Sequence, residues 1–190
     1  AEQSGFITDL GFETYQKILS EAMEELGVET GVITRSSSDN FVSDCTIETD
    51  QLALIPDTYI DVTAEKIRIY KELDSLTSDK ELENMKKRLE DRFGRMPEEL
   101  VRLFDIVRIR QLGLKLGFEK IIIKNGVIIA FFISNPLSQY YRSDRFSAIL
   151  EKVSQYPRLF ELKQNDNKLR VVVRNVEGID KAYAVLNKLF

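Results

Sequence analysis

The residues that could form a functional site in this chain lie in one charged stretch, KKRLEDRFGRMPEEL, at positions 86–100. Acids and bases are mixed there directly before a glycine, and Glu90 and Asp91 stand near the predicted end of a helix. Carboxylates in that position are mildly unfavourable, by roughly 0.3–1 kcal/mol, because they face the negative end of the helix dipole. The residues alone allow two interpretations: a solvated helix face, or a charged docking surface.

Catalytic and cofactor-binding patterns are missing from the sequence. The chain has no histidine, and its single cysteine, Cys45, can form neither a thiolate cluster nor an internal disulfide. Neither a GxxxxGK[ST] loop nor a GxGxxG loop occurs to cradle a phosphate. We therefore expect no enzyme activity, no cofactor and no metal site in this chain. The one cysteine, the lack of a signal pattern and the lack of a long apolar run predict a cytoplasmic protein without a membrane contact.

The net charge of −4 conceals a gradient along the chain. Residues 1–50 hold eleven acids and two bases, residues 51–100 twelve and nine, and residues 101–190 eight and sixteen. A basic C-terminal half could contact nucleic acid. The bases are spread over several predicted elements rather than one stripe, which favours an ordinary solvated surface.

Three regions follow from composition and periodicity. Residues 1–27 contain an amphipathic helix over about 12–26, which resembles a piece of a neighbouring domain because its apolar face lacks a partner. Residues 28–45 are polar, serine-rich and aperiodic, and we interpret them as a linker that is most mobile at 35–43. Residues 46–190 form the predicted main domain.

The main domain begins with a helical block. A capping box, Ser78 with Glu81, predicts the start of a helix that carries a narrow apolar stripe and ends at Gly94. Pro97 fits the first turn of the next helix, which runs to Gly117. An earlier helix is predicted to follow Asp61, itself a good cap residue.

The second half repeats a hairpin and a helix. Asn125-Gly126 is the strongest short hairpin signal, and the NDN turn at 165–167 predicts a second hairpin. Ser143 is the predicted cap of the helix between them, and a last helix covers roughly 178–189. We therefore predict an α+β fold: a helical block followed by two hairpin–helix units that form an antiparallel sheet covered by helices.

The order of these pieces resembles one family, the bacterial transcription-repair coupling factors (TRCF, or Mfd), specifically their C-terminal region. The resemblance is carried by four stretches: EQSGFITDLGFETYQKILSEAMEEL, LALIPDTYI, IYKEL with ELENMKKRLEDRFGRMPEEL, and VRIRQLGLKLGFEKI. It covers most of residues 1–130. One departure is Asp61, where the family often has proline.

The resemblance implies a regulatory domain without catalysis. The family protein is an ATP-driven DNA translocase that displaces stalled RNA polymerase and recruits the repair protein UvrA. ATP and Mg²⁺ would be bound by motor lobes outside this chain, of which residues 1–27 would be a remnant. The implied partner is the N-terminal UvrA-binding module of the same protein, docked intramolecularly so that it is masked; contacts with UvrA, RNA polymerase and DNA would be indirect. We expect a monomer.

Two positions, Gln3 and Asp91, can be carried over on this resemblance, and Arg88 and Glu90 complete the predicted docking site. Gln3 matches the glutamine of the translocation motif, here a remnant without a function of its own. Asp91 matches an acid of the docking surface, Glu90 precedes it, and Arg88 stands where relatives commonly have an acid. The resemblance makes the docking interpretation of Arg88, Glu90 and Asp91 the favoured one.

The alternative function is a nucleic-acid-binding module that uses the basic half. Tyr140 and Tyr141 would stack on bases and Arg142 would contact phosphate. Adjacent aromatic residues at a loop–helix junction are more often packing residues.

Overall fold

The computed structural model describes residues 41–166 and 168–190, and within them the chain is α+β, with five α-helices and one five-stranded sheet. The chain forms two compact units, whose described parts are 52–107 and 41–51 with 108–190. In chain order the elements are β1 (Thr46–Thr49), α1 (Thr63–Ser75), α2 (Asp79–Phe93), α3 (Glu98–Leu116), β2 (Phe118–Lys124), β3 (Val127–Phe132), α4 (Asp144–Gln155), β4 (Glu161–Asn165), β5 (Lys168–Arg174) and α5 (Ile179–Leu186).

The first unit is built on α1, α2 and the first part of α3. Apolar residues three and four apart on each helix face a common core. Tyr70, Leu73, Leu100 and Leu103 in this core have no exposed surface.

The ends of α2 confirm the predicted caps. Ser78 Oγ accepts from the Glu81 N–H at 3.3 Å, and the Glu81 carboxylate accepts from the Ser78 N–H at 3.0 Å. Gly94 follows the last turn with φ 84°, a conformation open to glycine, and its N–H donates to Glu90 O at 2.9 Å. Pro97 supplies the carbonyl that accepts from the first turn of α3.

The prediction that Asp61 caps α1 is wrong. The cap residue is Val62, in an extended conformation with no side-chain hydrogen bond, and Asp61 lies one residue too early. Val62 O accepts from Glu65 and Lys66 instead, so backbone bonding alone begins the helix.

The second unit contains the sheet, in the order β1-β2-β3-β5-β4. The two predicted hairpins, β2–β3 and β4–β5, are present, and β3 joins β5 in antiparallel pairing. The prediction of a wholly antiparallel sheet is corrected by β1, which pairs in parallel with β2. Parallel pairing needs a long crossover, and here the chain between 49 and 118 supplies it.

The first hairpin turns as its sequence predicts. Asn125 and Gly126 both have positive φ, 52° and 72°, which a tight two-residue turn matched to the strand twist requires. The Asp50 carboxylate accepts from the Asn125 N–H at 2.8 Å and fixes the turn to the end of β1. Ser143 caps α4 as predicted, accepting from the Phe146 N–H at 3.3 Å.

Several predictions concern residues outside those described. These are Gln3, the helix over 12–26 and most of the linker at 28–45. Of that linker, residues 41–45 are described, and Val42 and Cys45 in it are buried. The three-region division of the chain therefore stays a prediction.

Candidate docking surface

Two arginines of α2 pair with two glutamates of α1. Arg88 forms an ion pair with Glu72, and Arg92 Nη1 lies 2.6 Å from Glu65 Oε1. Glu65 and Glu72 are seven residues apart and Arg88 and Arg92 four apart, so each pair of like charges follows one side of its helix. The ion pairs therefore link two antiparallel helices within the first unit.

The pairing explains two of the five bases of the charged stretch, Arg88 and Arg92, without a partner protein. The hydrogen bond from Arg68 is the main cause that lowers the pKa of the Glu65 carboxyl, and the charge of Arg92 contributes. Arg88 is exposed, but Glu72, which it contacts, is only about a third exposed. Arg88 is thus committed to α1 rather than free for docking.

Glu90 lies on another side of α2, beside Tyr59. Successive helix residues turn by about 100°, which places Arg88 and Glu90 on opposite flanks. Glu90 is half-buried, and its charge adds to desolvation in raising the pKa of the Tyr59 hydroxyl. The Tyr59 hydroxyl lies 2.9 Å from Gly94 O and 3.2 Å from Leu89 O, so it can donate to either carbonyl at the end of α2.

Asp91 is the outermost of the three predicted docking residues. It is exposed on the side of α2 opposite the buried Leu82, Met85 and Leu89. In the part of the chain that the structure describes, it forms no ion pair and no side-chain hydrogen bond. The exposed Lys87 precedes it by one turn without an ion pair to it.

The structure therefore separates the three residues rather than gathering them in one cluster. Arg88 stabilises the contact of two helices, and Glu90 is half-buried beside Tyr59. Among the three, Asp91 is the residue that is fully exposed and forms no ion pair within the described residues. The candidate docking surface is thereby reduced to the solvent-exposed side of α2 near Gly94, with Asp91 at its centre and Glu90 at its edge.

An ion pair of a buried lysine with an exposed aspartate in this unit was not predicted. Lys66 is 5% exposed and pairs with Asp57, in the stretch LALIPDTYI. Lys66 stands three and seven residues before the buried Ile69 and Leu73, on the inward side of α1, and this placement was the available signal. Nearby, the Ile55 N–H donates to the buried Tyr70 hydroxyl at 2.9 Å. These contacts attach the entry segment of the unit to α1.

The residues proposed for nucleic-acid stacking have a different role. Tyr140 is fully buried, and its hydroxyl donates to Leu116 O at 2.5 Å; Tyr141 is half-buried and donates to Ile133 O. Gly117, at φ 82°, leaves room for the Tyr140 ring, since an added Cβ would lie 2.2 Å from its Cε2. The stacking interpretation of Tyr140 is wrong, and the packing interpretation is correct.

Neither a metal cluster nor a membrane helix is found among residues 41–166 and 168–190. No three potential ligands from cysteine, aspartate and glutamate lie close enough together to hold an ion. No helix in these ranges combines the length and the apolar character that crossing a bilayer requires.

Comparison with known proteins decides the family. The family model of the TRCF domain matches residues 49–143, half of the chain. The chain belongs to the transcription-repair coupling factor family. The transcription-repair-coupling factor of Rickettsia prowazekii is 33% identical over 177 residues, and that of Escherichia coli is 32% identical over 161 residues. These matches cover 93% and 83% of this chain but only 14% and 13% of the relatives, so the chain spans about a seventh of their length.

A solved structure from a TRCF protein shares the fold of this chain. A crystal structure of the C-terminal domain of a transcription-repair coupling factor superimposes with a TM-score of 0.64 at 20% identity. The superposition covers 77% of this chain and 91% of that domain. The α+β prediction is thereby confirmed as the fold of a TRCF C-terminal domain.

Proposed function

We propose that this chain is the non-catalytic, autoinhibitory C-terminal domain of a coupling factor. It would dock onto the N-terminal UvrA-binding module of the same protein and mask it until the factor is engaged. ATP and Mg²⁺ would be bound by the motor lobes of the whole protein, and UvrA, RNA polymerase and DNA would be reached through that protein. The family membership supports the setting, and the charge arrangement on α2 supports the docking surface.

The observation that carries the proposal is the unbalanced acid at the end of α2. Arg88 and Arg92 are occupied by glutamates of α1, whereas Asp91 is exposed without an ion pair in the described residues. A carboxylate near the C-terminus of a helix interacts unfavourably with the helix dipole, so Asp91 does not stabilise α2. A basic side chain on a docked module would compensate it.

The experiment uses the full-length factor that carries this chain, with Asp91→Lys. The reversal turns one rim attraction into repulsion and should weaken the closed state by roughly 0.5–2 kcal/mol, or about 2- to 30-fold in the opening equilibrium. UvrA binding and basal ATPase should both rise, and the melting temperature should barely change because Asp91 stabilises nothing within the first unit. Asp91→Ala should have a smaller effect than the reversal.

A matched control is Glu177→Lys, the same change of charge at an exposed residue of the second unit. It should leave UvrA binding and ATPase unchanged. Reversal of the partner's basic residue should restore repression to Asp91→Lys. If Asp91→Lys folds normally and UvrA binding stays at the parent value, the docking role of this surface is refuted and Asp91 is an ordinary solvated acid.

A further inference from the structure

The sheet of the second unit buries one of its faces more completely than the other. Along β3 the side chains alternate between buried and half-buried, as a strand with two different environments requires. The half-buried side chains share a face with the residues opposite them in the strand register, and we name it the outer sheet face. Its three cross-strand rows are Lys124–Val127–Arg174, Glu48–Ile122–Ile129–Val172–Glu161 and Thr46–Lys120–Phe131–Arg170–Lys163.

The outer sheet face has an apolar centre. Val127, Ile129 and Phe131 follow one another along β3, and Ile122 and Val172 lie on either side of Ile129. Four of these five side chains are half-buried and Val172 is buried. An apolar centre surrounded by charged side chains is the usual anatomy of a protein interface.

The charged side chains around this centre are mostly basic. The three rows hold two acids and five bases, a net charge of +3, and the bases are Lys120, Lys124, Lys163, Arg170 and Arg174. Glu48 pairs with two of the bases, at 2.5 and 3.3 Å, and Glu161 pairs with two others, at 3.1 and 3.7 Å. Two acids cannot balance five bases, so the face is electrostatically complementary to an acidic partner.

Arg170 is the base of this face that neither glutamate reaches. It stands between Phe131 and Lys163 in its row and forms no ion pair within the described residues. Its Nη2 can donate to the side-chain oxygen of Asn165 at 3.2 Å, but an amide does not balance a positive charge. Its Nε is buried and has no hydrogen-bond partner in the described part of the chain. Arg170 therefore keeps both an unbalanced charge and an unused donor.

The spacing of two bases indicates the form of the partner. Lys120 and Arg170 flank Phe131 in one row, two interstrand spacings apart, which is about 10 Å. Residues seven apart on one side of an α-helix are separated by about 10.5 Å along its axis. A helix that crosses the strands can therefore bring one acid to each base. The side chains three and four positions after the first acid then lie over Phe131.

We propose that the outer sheet face binds an acidic amphipathic helix of a partner protein. Two acids of that helix, seven residues apart, pair with Lys120 and Arg170, and the apolar side chains between them cover Phe131. Glu48 keeps Lys124 as its partner when the helix takes Lys120. The proposal is independent of the docking surface on α2.

Two other occupants fit the outer sheet face less well. A second copy of the chain, docked face to face, would bring a charge of +3 against an equal charge. Single-stranded nucleic acid binds to successive aromatic side chains along a continuous basic groove. Phe131 is the only aromatic residue in the three rows, and Glu48 and Glu161 interrupt the bases.

The test is a fluorescence-anisotropy titration of the full chain with a labelled, alanine-based helical peptide. The peptide carries two glutamates seven positions apart and two leucines midway between them. We expect a Kd below about 1 mM, and Arg170→Glu should raise it by roughly 2- to 30-fold because an attraction becomes a repulsion. The matched control is Arg142→Glu, the same reversal at an exposed base elsewhere in the second unit, which should leave the Kd unchanged.

A charge-swapped peptide separates loss of binding from a folding defect. With one glutamate replaced by lysine, the peptide should bind Arg170→Glu more tightly than it binds the parent, while amide exchange in β2 and β3 stays slow in both proteins. Titration of the parent with the original peptide should move the backbone amide shifts of Phe131 and Arg170, which locates the bound helix on the outer sheet face.

Three results overturn the proposal. They are the absence of saturable binding up to about 1 mM peptide, binding that Arg170→Glu leaves unchanged, and amide shifts that change only outside the sheet. Binding of a labelled single-stranded oligonucleotide that is tighter than that of the peptide and is abolished by Phe131→Ala also overturns it, because the face would then be a nucleic-acid site.

Discussion

The sign of one substitution in α3 should depend on a residue 68 positions earlier. Gly113 lies in the interior of α3, where alanine ordinarily stabilises a helix by about 1 kcal/mol. In this structure an added Cβ would lie 2.5 Å from Cys45 Sγ and 3.1 Å from Ile121 Cδ1. Gly113→Ala is therefore expected to destabilise the second unit, although helix propensity alone predicts the opposite.

The magnitude follows from the balance of two terms. Non-bonded heavy atoms prefer separations of about 3.5–4.0 Å. Cys45 Sγ must therefore move by about 1 Å away from the new methyl group, in a site where Cys45 is buried. Overpacking of this kind costs about 1–3 kcal/mol, and the propensity gain offsets about 1 kcal/mol of it. The expected loss of unfolding free energy for Gly113→Ala is thus about 0–2 kcal/mol.

The assay is a double-mutant cycle with Cys45→Ala, followed by urea denaturation. Removal of the sulfur should cost on the order of 1 kcal/mol by itself, comparable to one buried methylene. In the Cys45→Ala background the closest remaining contact of the new methyl is 3.1 Å, to the end of a flexible side chain. Gly113→Ala should therefore become stabilising there. If it stabilises both backgrounds equally, the close approach of Cys45 to α3 does not exist in solution.

Two further outcomes are expected in the first unit. Tyr70→Phe should lower the free energy of unfolding by about 1–3 kcal/mol in urea denaturation, because the buried Ile55 N–H loses its acceptor; Tyr156→Phe, at an exposed ring, should stay within about 0.5 kcal/mol of the parent. Glu81→Gln should destabilise the chain at pH 7 and converge with the parent as the pH falls toward 3. The hydrogen bonds from the Thr77 and Ser78 N–H groups lower the pKa of Glu81 in the folded state, so its stabilisation is present above the unfolded pKa and is lost as the carboxyl becomes protonated. An equal difference at both pH values, or the same pH dependence in Glu83→Gln, would contradict the second expectation.

The elements that the sequence predicts well are those whose signals are local. The capping box at Ser78, the glycine stop at Gly94 and the Asn125-Gly126 turn each depend on residues within one turn of chain. The parallel pairing of β1 with β2 depends on residues about 70 positions apart, and a four-residue strand carries no pattern that names its neighbour. The two hairpins of the sheet were therefore predicted correctly, whereas the parallel edge strand β1 was not predicted.

The candidate site was predictable only as a stretch of charge. Helical spacing alone shows that Arg88 and Glu90 project in different directions, but only the packing of α1 shows which charges are already satisfied. For the same reason the sequence left open whether Tyr140 stacks on bases or packs in the core. Its ring packs against Phe132 and Phe146, and Leu116 O, at the end of α3, accepts from its hydroxyl.

The separation of roles on α2 determines which substitutions can test docking at all. Reversal of Arg88 would leave Glu72 beside a second acid in the contact between α1 and α2, so a change in UvrA binding could come from a loosened domain as readily as from a lost interface. Reversal of Glu90 would place a positive charge against the Tyr59 hydroxyl that holds the end of the helix. Asp91 has neither connection, and a change there reaches the rest of the protein only through a partner. Among the three predicted residues it is therefore the one position at which an effect on UvrA binding, with stability unchanged, identifies a docking surface.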